Sequence, residues 1–310
     1  MMKLPKKVVI QEVGPRDGFQ MEKQFVPTES KIEIINMLSE CGFTEMQFTA
    51  FVHPKAVPNM ADAVEVCSKI KRNNLVHYNA LIPNERGYQR AVEAGIKKVE
   101  LTMSTTDSHN ISNLNCTSLE SIARLEECIK MGLKTEICAG LAVAFGCPFE
   151  GRPSYQRIKM LADKMIALGI KEVGLADTSG VGDPAQVYDI CARLLDAHPD
   201  VTFYLHMHNT HGTAIANIFA AMQAGISRFD SSVAGLGGCP YAPGASGNIA
   251  TEDLVQIFDA MGIETGIDID KLMLAAQRTA EVVGHSDSAT LRAGKLGRLV
   301  EGGPIIQNNR

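Results

Sequence analysis

What this 310-residue chain lacks narrows what it can do. It has no cluster of basic residues, and its 30 Lys and Arg against 35 Asp and Glu leave a net charge of -5. That balance argues against nucleic acid or an anionic membrane as the main partner and points to a small molecule. No apolar run reaches the roughly 18 residues of a membrane span. Residues 1–7 hold no apolar segment of signal-peptide type, so a soluble, cytoplasmic protein is expected. No C-x-x-C pair occurs among Cys41, Cys67, Cys116, Cys128, Cys138, Cys147, Cys191 and Cys239. This excludes a zinc ribbon and a dense disulfide scaffold and leaves reduced thiols as the default. There is no G-x-x-x-x-G-K-[ST] loop to cradle a phosphate. No linker, repeat or low-complexity segment divides the chain, so residues 1–310 read as a single domain.

What is present is an alternation. Short apolar runs rich in β-branched residues fall at 8–13, 45–51, 77–82 and 98–103, then at 135–143, 172–177, 202–208 and 228–234. Each gap between them is long enough for a helix. Several helical stretches end on a glycine just before the next strand, at Gly42, Gly95, Gly132, Gly169 and Gly225. Glycine there is the usual helix C-cap. These β/α units favour an α/β fold closed as a (β/α)8 TIM barrel over an open doubly wound sheet. The barrel is expected over about 7–262, with its eighth helix at 249–262. An additional C-terminal helix follows at 268–283, within an extension of 263–310.

In such a barrel chemistry sits at the C-terminal ends of the strands. Polar residues gather there: Arg16 and Asp17 after strand one, Asp177 at the end of strand six, His206 and His208 on strand seven, and Asp230 on strand eight. Two residues apart on a strand, His206 and His208 project from one face and could share a metal ion. Strand seven adjoins strand eight, which adjoins strand one, so Asp17, both histidines and the loop to Asn248 share one arc of the rim. Oxygen and nitrogen donors without a thiolate suit Mg2+ or Mn2+, with zinc or iron as alternatives. Taken alone, Asn248 reads as the start of a helix, with Thr251 as a cap. Arg16 beside a carboxylate reads either as an ion pair or as a group that neutralises an enolate oxygen. Lys23 reads either as an exposed lysine or as a contact for a substrate carboxylate. Cys239 lies among glycines, which suits a thiol carried on a hinged lid.

These motifs resemble those of the 3-hydroxy-3-methylglutaryl-CoA lyases, metal-dependent barrel enzymes related to Claisen-type synthases. The resemblance covers about residues 7–285 and rests on Glu12 to Gly18, Phe51 to Lys55 with Val57-Pro58, Gly146 to Gly151, and Ser231 to Asn248. It implies retro-Claisen cleavage of 3-hydroxy-3-methylglutaryl-CoA to acetyl-CoA and acetoacetate, and a homodimer. It also implies roles: Asp17, His206, His208 and Asn248 as metal ligands, His206 or Asp17 as the base, Arg16 at the enolate and Cys239 as the acid. Asp177 would support the site, and Arg16, Gln47 and Lys23 would meet substrate. Four positions depart from the family's usual residues: Gln47 stands for a glutamate, Ala50 for a serine, Asn209 for an aspartate and His211 for a tyrosine. They leave open a related 3-hydroxy-3-substituted glutaryl-CoA as substrate, or a non-catalytic binder of metal or thioester.

Overall fold

The structure, a computed structural model, describes residues 4–238 and 247–294. Eight parallel strands close in sequence order into a barrel. They are β1 (Val9–Glu12), β2 (Glu45–Ala50), β3 (His77–Ile82), β4 (Lys98–Ser104), β5 (Glu136–Ala142), β6 (Glu172–Asp177), β7 (Thr202–Met207) and β8 (Arg228–Ser231). Closure is made where β1 pairs with β8, Gln11 opposite Asp230. The strand runs expected at 77–82 and 172–177 match residue for residue. The eighth is shorter than expected, because the chain beyond Ser231 folds into a short 3-10 turn, Val233–Gly235.

Around the barrel run α1 (Thr28–Ser39), α2 (Ala63–Lys69), α3 (Glu85–Glu93), α4 (Asp107–Leu114), α5 (Ser118–Lys130), α6 (Tyr155–Ala167), α7 (Pro184–Ala197), α8 (Ala214–Ala224) and α9 (Thr251–Ala260). The additional helix is α10 (Ile269–Val283), followed by α11 (Ala289–Ala293). An ion pair between Arg278 and Glu33, 2.9 Å, ties α10 to α1. Outward-facing strand residues such as Ile10, Met46, Val99, Val173 and Leu205 are buried against helix residues such as Ile34, Leu125, Leu161 and Leu194. The main apolar core is this layer between sheet and helices, because parallel strands are covered on both faces.

Inside the barrel the residues are polar and stacked in layers drawn from alternate strands. At the N-terminal end, Glu45, Lys98, Glu172 and Arg228, from β2, β4, β6 and β8, form a ring of ion pairs. Lys98 Nζ is 2.7 Å from Glu172 and 3.4 Å from Glu45, and Arg228 is 2.5 Å from Glu45 and 3.1 Å from Glu172. Above them Asn79 donates to Gln11 at 2.6 Å. Removing one member of a buried ion-pair set leaves the others with uncompensated charge. Lys98→Met is therefore expected to lower unfolding free energy by about 3–5 kcal/mol, read from the urea midpoint. An unchanged midpoint would show that Arg228 alone neutralises both glutamates.

Candidate active site

Past Glu12, β1 runs into a π-helical turn, Gly14–Gly18, with a proline in its first turn. This turn swings Arg16 and Asp17 over the C-terminal mouth. Glu12 secures it by accepting hydrogen bonds from Gly14 N (2.7 Å), Val233 N (2.9 Å) and Thr251 Oγ1 (2.7 Å), which link β1 to the segment after β8 and to α9. Burial pushes the Glu12 carboxyl up to about 8 against those three bonds. A Cβ on Gly14 would lie 2.7 Å from Glu12 Oε1, so the turn admits only glycine there without a shift.

His206 and His208 meet Asp17 across the barrel mouth. The two Nε2 atoms are 3.2 Å apart, and Asp17 Oδ2 lies 3.7 Å from His206 Nε2 and 3.9 Å from His208 Nε2. One ligand atom from each residue falls within 4.8 Å of the others. Behind His206, Nδ1 lies 3.1 Å from Asp230 Oδ2, while Asp230 Oδ1 accepts from Gln11 at 3.0 Å. Such a carboxylate behind a ligating imidazole orients the ring and raises its basicity. Burial disfavours charge on both rings. At His206 the hydrogen bonds and charge of Asp17 and Asp230 outweigh it and raise the ring to about 10. At His208 burial and the charge on His206 lower it to about 4, against the pull of Asp17. Although burial opposes it, the Arg16 guanidinium and both histidines hold the Asp17 carboxyl well below its usual range.

Asn248 completes the cluster. Its Nδ2 donates to Asp17 Oδ2 at 2.7 Å and to Leu236 O at 3.1 Å. It is therefore no helix cap, and Thr251 caps nothing either: α9 starts after Ala250 with no side-chain cap, and Thr251 donates to Glu12. Asn248 Oδ1 is buried and has no hydrogen-bond partner among the described residues, and the same holds for His208 Nδ1. A buried amide oxygen with no donor carries a desolvation penalty that a cation would remove. Two imidazole nitrogens, a carboxylate and this oxygen fit a divalent ion. A Cβ on Gly237 would meet Asn248 Nδ2 at 2.5 Å, and its φ of +124° already favours glycine.

Arg16 donates through Nε to Gln47 Oε1 and through Nη1 to Asp17 Oδ1. Arg16 is thus ion-paired, and it also lines a cavity of about 800 Å³ that includes Asp17, His206 and His208 in its wall. The cavity runs on to His53, His109 and Arg124 at the rim.

Other candidate residues take different places. Gln47 is fully buried behind Arg16, accepts from its Nε, and is not in the cavity wall. Lys23 lies exposed in the bend after the π-helical turn, also outside the cavity wall, where a solvated ammonium is most stable. Asp177 accepts from Val181 N (3.1 Å) and Gly182 N (2.9 Å), which ties it to the loop after β6. Ala50, Asn209 and His211 are likewise absent from the cavity wall. Asn209 accepts from Ala214 N at 3.3 Å, and His211 lies 2.9 Å from Gly180 O. Cys239 lies outside the described residues, although Gly238 before it lines the cavity.

Sequence reasoning missed Glu100, Thr102 and Tyr204, which line the cavity from β4 and β7. The signal was available: Lys98, Glu100 and Thr102 are polar at every second position of a strand, which turns all three into the barrel.

Comparison with known proteins agrees with this geometry. The HMGL-like family model matches residues 7–279. The hydroxymethylglutaryl-CoA lyase YngG of Bacillus subtilis is 43% identical over 285 residues, covering 91% of this chain and 95% of that protein. The mitochondrial hydroxymethylglutaryl-CoA lyase of Bos taurus is 45% identical over 277 residues, with 87% and 84% covered. Among solved structures, an HMG-CoA lyase from Acinetobacter baumannii in complex with coenzyme A and 3-methylmalate superposes with a TM-score of 0.91. Its identity is 41%, over 95% of this chain and 97% of that one. With barrel, motifs and relatives in agreement over nearly its whole length, the chain belongs to the HMGL-like family of lyases.

Proposed function

We propose that this chain cleaves 3-hydroxy-3-methylglutaryl-CoA to acetyl-CoA and acetoacetate in a retro-Claisen reaction. The observation that carries this reading is the meeting of Asp17, His206 and His208 beside Arg16 in the wall of one cavity. Asp17, His206, His208 and Asn248 would hold a divalent ion, which when bound supplies a Lewis acid for the substrate's tertiary hydroxyl. Magnesium or manganese is the ion, a homodimer the assembly and the cytoplasm the compartment in the same reading. No described helix is long and apolar enough to cross a membrane.

The side chains divide the remaining work. The hydroxyl proton goes to a base as the bond between C2 and C3 breaks. Its oxygen becomes the ketone of acetoacetate, and the bonding pair moves onto the thioester as an enolate. Of the two candidate bases His206 is favoured: Asp17 is held far below the range of a useful base, whereas Asp230 stabilises a charged His206 ring. Nε2 carries one lone pair, so at any moment it serves the ion or the proton. Arg16 meets the charge on the enolate oxygen. Cys239 returns a proton to C2, giving acetyl-CoA.

A coupled assay for released acetyl-CoA, with the ion removed and restored, tests the reading. No turnover of any glutaryl-type thioester with Mg2+ or Mn2+ would sink it and leave a binder. A second reading, cleavage of a related 3-hydroxy-3-substituted glutaryl-CoA, is favoured by the wall on β5 and β6. Gly140, Ala142, Gly174 and Ala176 give that wall little side-chain bulk. A thioester panel in the same assay separates the two.

Ion binding needs both Nε2 atoms deprotonated, and His206 is the ring that holds a proton at neutral pH. At pH 7 each ion bound is expected to release about one proton, and apparent affinity to fall roughly tenfold per pH unit on acidification. Titration calorimetry in buffers of different ionisation enthalpy measures the release. A value near zero would mean that the His206 ring is already neutral.

A further inference from the structure

Behind Arg16 the hydrogen bonds continue across the barrel. Gln47 Nε2 donates to Glu100 Oε2 at 2.7 Å, and Thr102 Oγ1 donates to Glu100 Oε1 at 2.8 Å. Gln47 is on β2 and Glu100 on β4, and their side chains meet above Asn79 of the intervening β3, which pairs with Gln47 on one side and Lys98 on the other. Gly140 makes room for the carboxylate, since a Cβ there would lie 2.7 Å from Glu100 Oε1.

A buried amide can lie either way round, and its neighbours decide which. An ionised carboxylate only accepts, so Glu100 draws the Gln47 NH2 towards itself and turns Oε1 towards Arg16 Nε. With the amide reversed, a donor would face the guanidinium and an oxygen would face the carboxylate, and both contacts would repel. We propose that Glu100 is a positioning residue for the lyase reaction: acting through Gln47, it fixes the Arg16 guanidinium in the orientation that receives the enolate charge. Arg16 Nε is committed to Gln47 and one Nη1 hydrogen to Asp17, which among the described residues leaves the other N–H groups for the cavity. The inference rests on the function proposed above for that site.

The test uses three variants of the whole chain: Glu100→Gln, Gln47→Glu, and the double exchange of both. Glu100→Gln is expected to lower kcat on 3-hydroxy-3-methylglutaryl-CoA roughly 10- to 100-fold, with KM and metal affinity unchanged, because the lost contact acts on transition-state charge. Gln47→Glu places two carboxylates where a hydrogen bond of 2.7 Å now stands. One of them must then take up a proton, and kcat falls as well. The double exchange keeps one carboxylate and one amide in the same chain of bonds, so its kcat should return to within about threefold of wild type, a coupling that independent sites would not show.

A readout independent of turnover is the Arg16 Nε–H resonance, assigned by its absence in Arg16→Lys. It should be protected from exchange in the wild type and in the double exchange, and lost in Glu100→Gln. If Glu100→Gln keeps both the protected resonance and wild-type kcat, the proposal is wrong. It is equally wrong if the double exchange is no more active than the weaker single variant. Should the wild type leave the methylglutaryl thioester uncleaved, the functional reading falls, and the resonance still decides whether Glu100 positions Arg16.

Discussion

Replacing Asp17 by asparagine is expected to abolish useful divalent-metal affinity and to lower kcat/KM by about a thousandfold or more. Unit charges about 4 Å apart interact by roughly 4 kcal/mol at an effective dielectric near 20. A divalent ion doubles this before solvation offsets part of it, and about 4 kcal/mol surviving already corresponds to nearly a thousandfold. Asp17 is fully committed as an anion, because Arg16 and both histidines hold it ionised. The variant would do more than remove a ligand. The one remaining side-chain oxygen could accept from either Asn248 Nδ2 or Arg16 Nη1, and the other donor would then face an NH2 group. His206 would keep only Asp230 as a carboxylate neighbour, so its basicity should drop and proton release on any residual binding should shrink. Calorimetry with Mn2+ gives the affinity, and circular dichroism of the metal-free protein excludes simple unfolding. A dissociation constant within threefold of wild type would remove Asp17 from the ligand set.

The second large effect belongs to Arg16. Arg16→Gln should lower kcat by about 10²–10³, the loss typical of one donor aimed at developing oxyanion charge, while metal affinity and KM change only a few-fold. The split follows from the place of Arg16: it touches Asp17 and Gln47 and reaches the cavity, yet it is no ligand. Arg16→Lys should rescue little. An ammonium is a point charge on a flexible stem and cannot engage Asp17, Gln47 and a substrate oxygen at fixed angles as a planar fork does. Measured kcat within tenfold of wild type in Arg16→Gln would mean that the enolate charge is met elsewhere.

The barrel and the metal cluster could be read from the order of residues for different reasons. Strand runs such as 8–13 stand out because β-branched and apolar residues are dense there and helix-length gaps separate them. His206 and His208 stand out because spacing by two on a strand guarantees a shared face. Asn248 was ambiguous because the residues after it really do begin a helix; only the bend at Leu236 to Gly238 shows that its side chain turns back to Asp17. Asp177 and Lys23 are hard to read from sequence for a common reason. Position at a strand end says which rim a residue occupies, and nothing about which of its oxygens are already spent on backbone N–H groups or whether its stem points to water. The partner of Gln47 on β4 lies 53 positions away, and no local pattern joins them.

The ring of Glu45, Lys98, Glu172 and Arg228 has a consequence for traffic. Beneath Tyr204 the barrel axis narrows to a void of about 10 Å³ between these charges and Gln11, room for about one water. Among the described residues this end of the barrel therefore offers a space of water size only, in contrast to the cavity of about 800 Å³ at the opposite end.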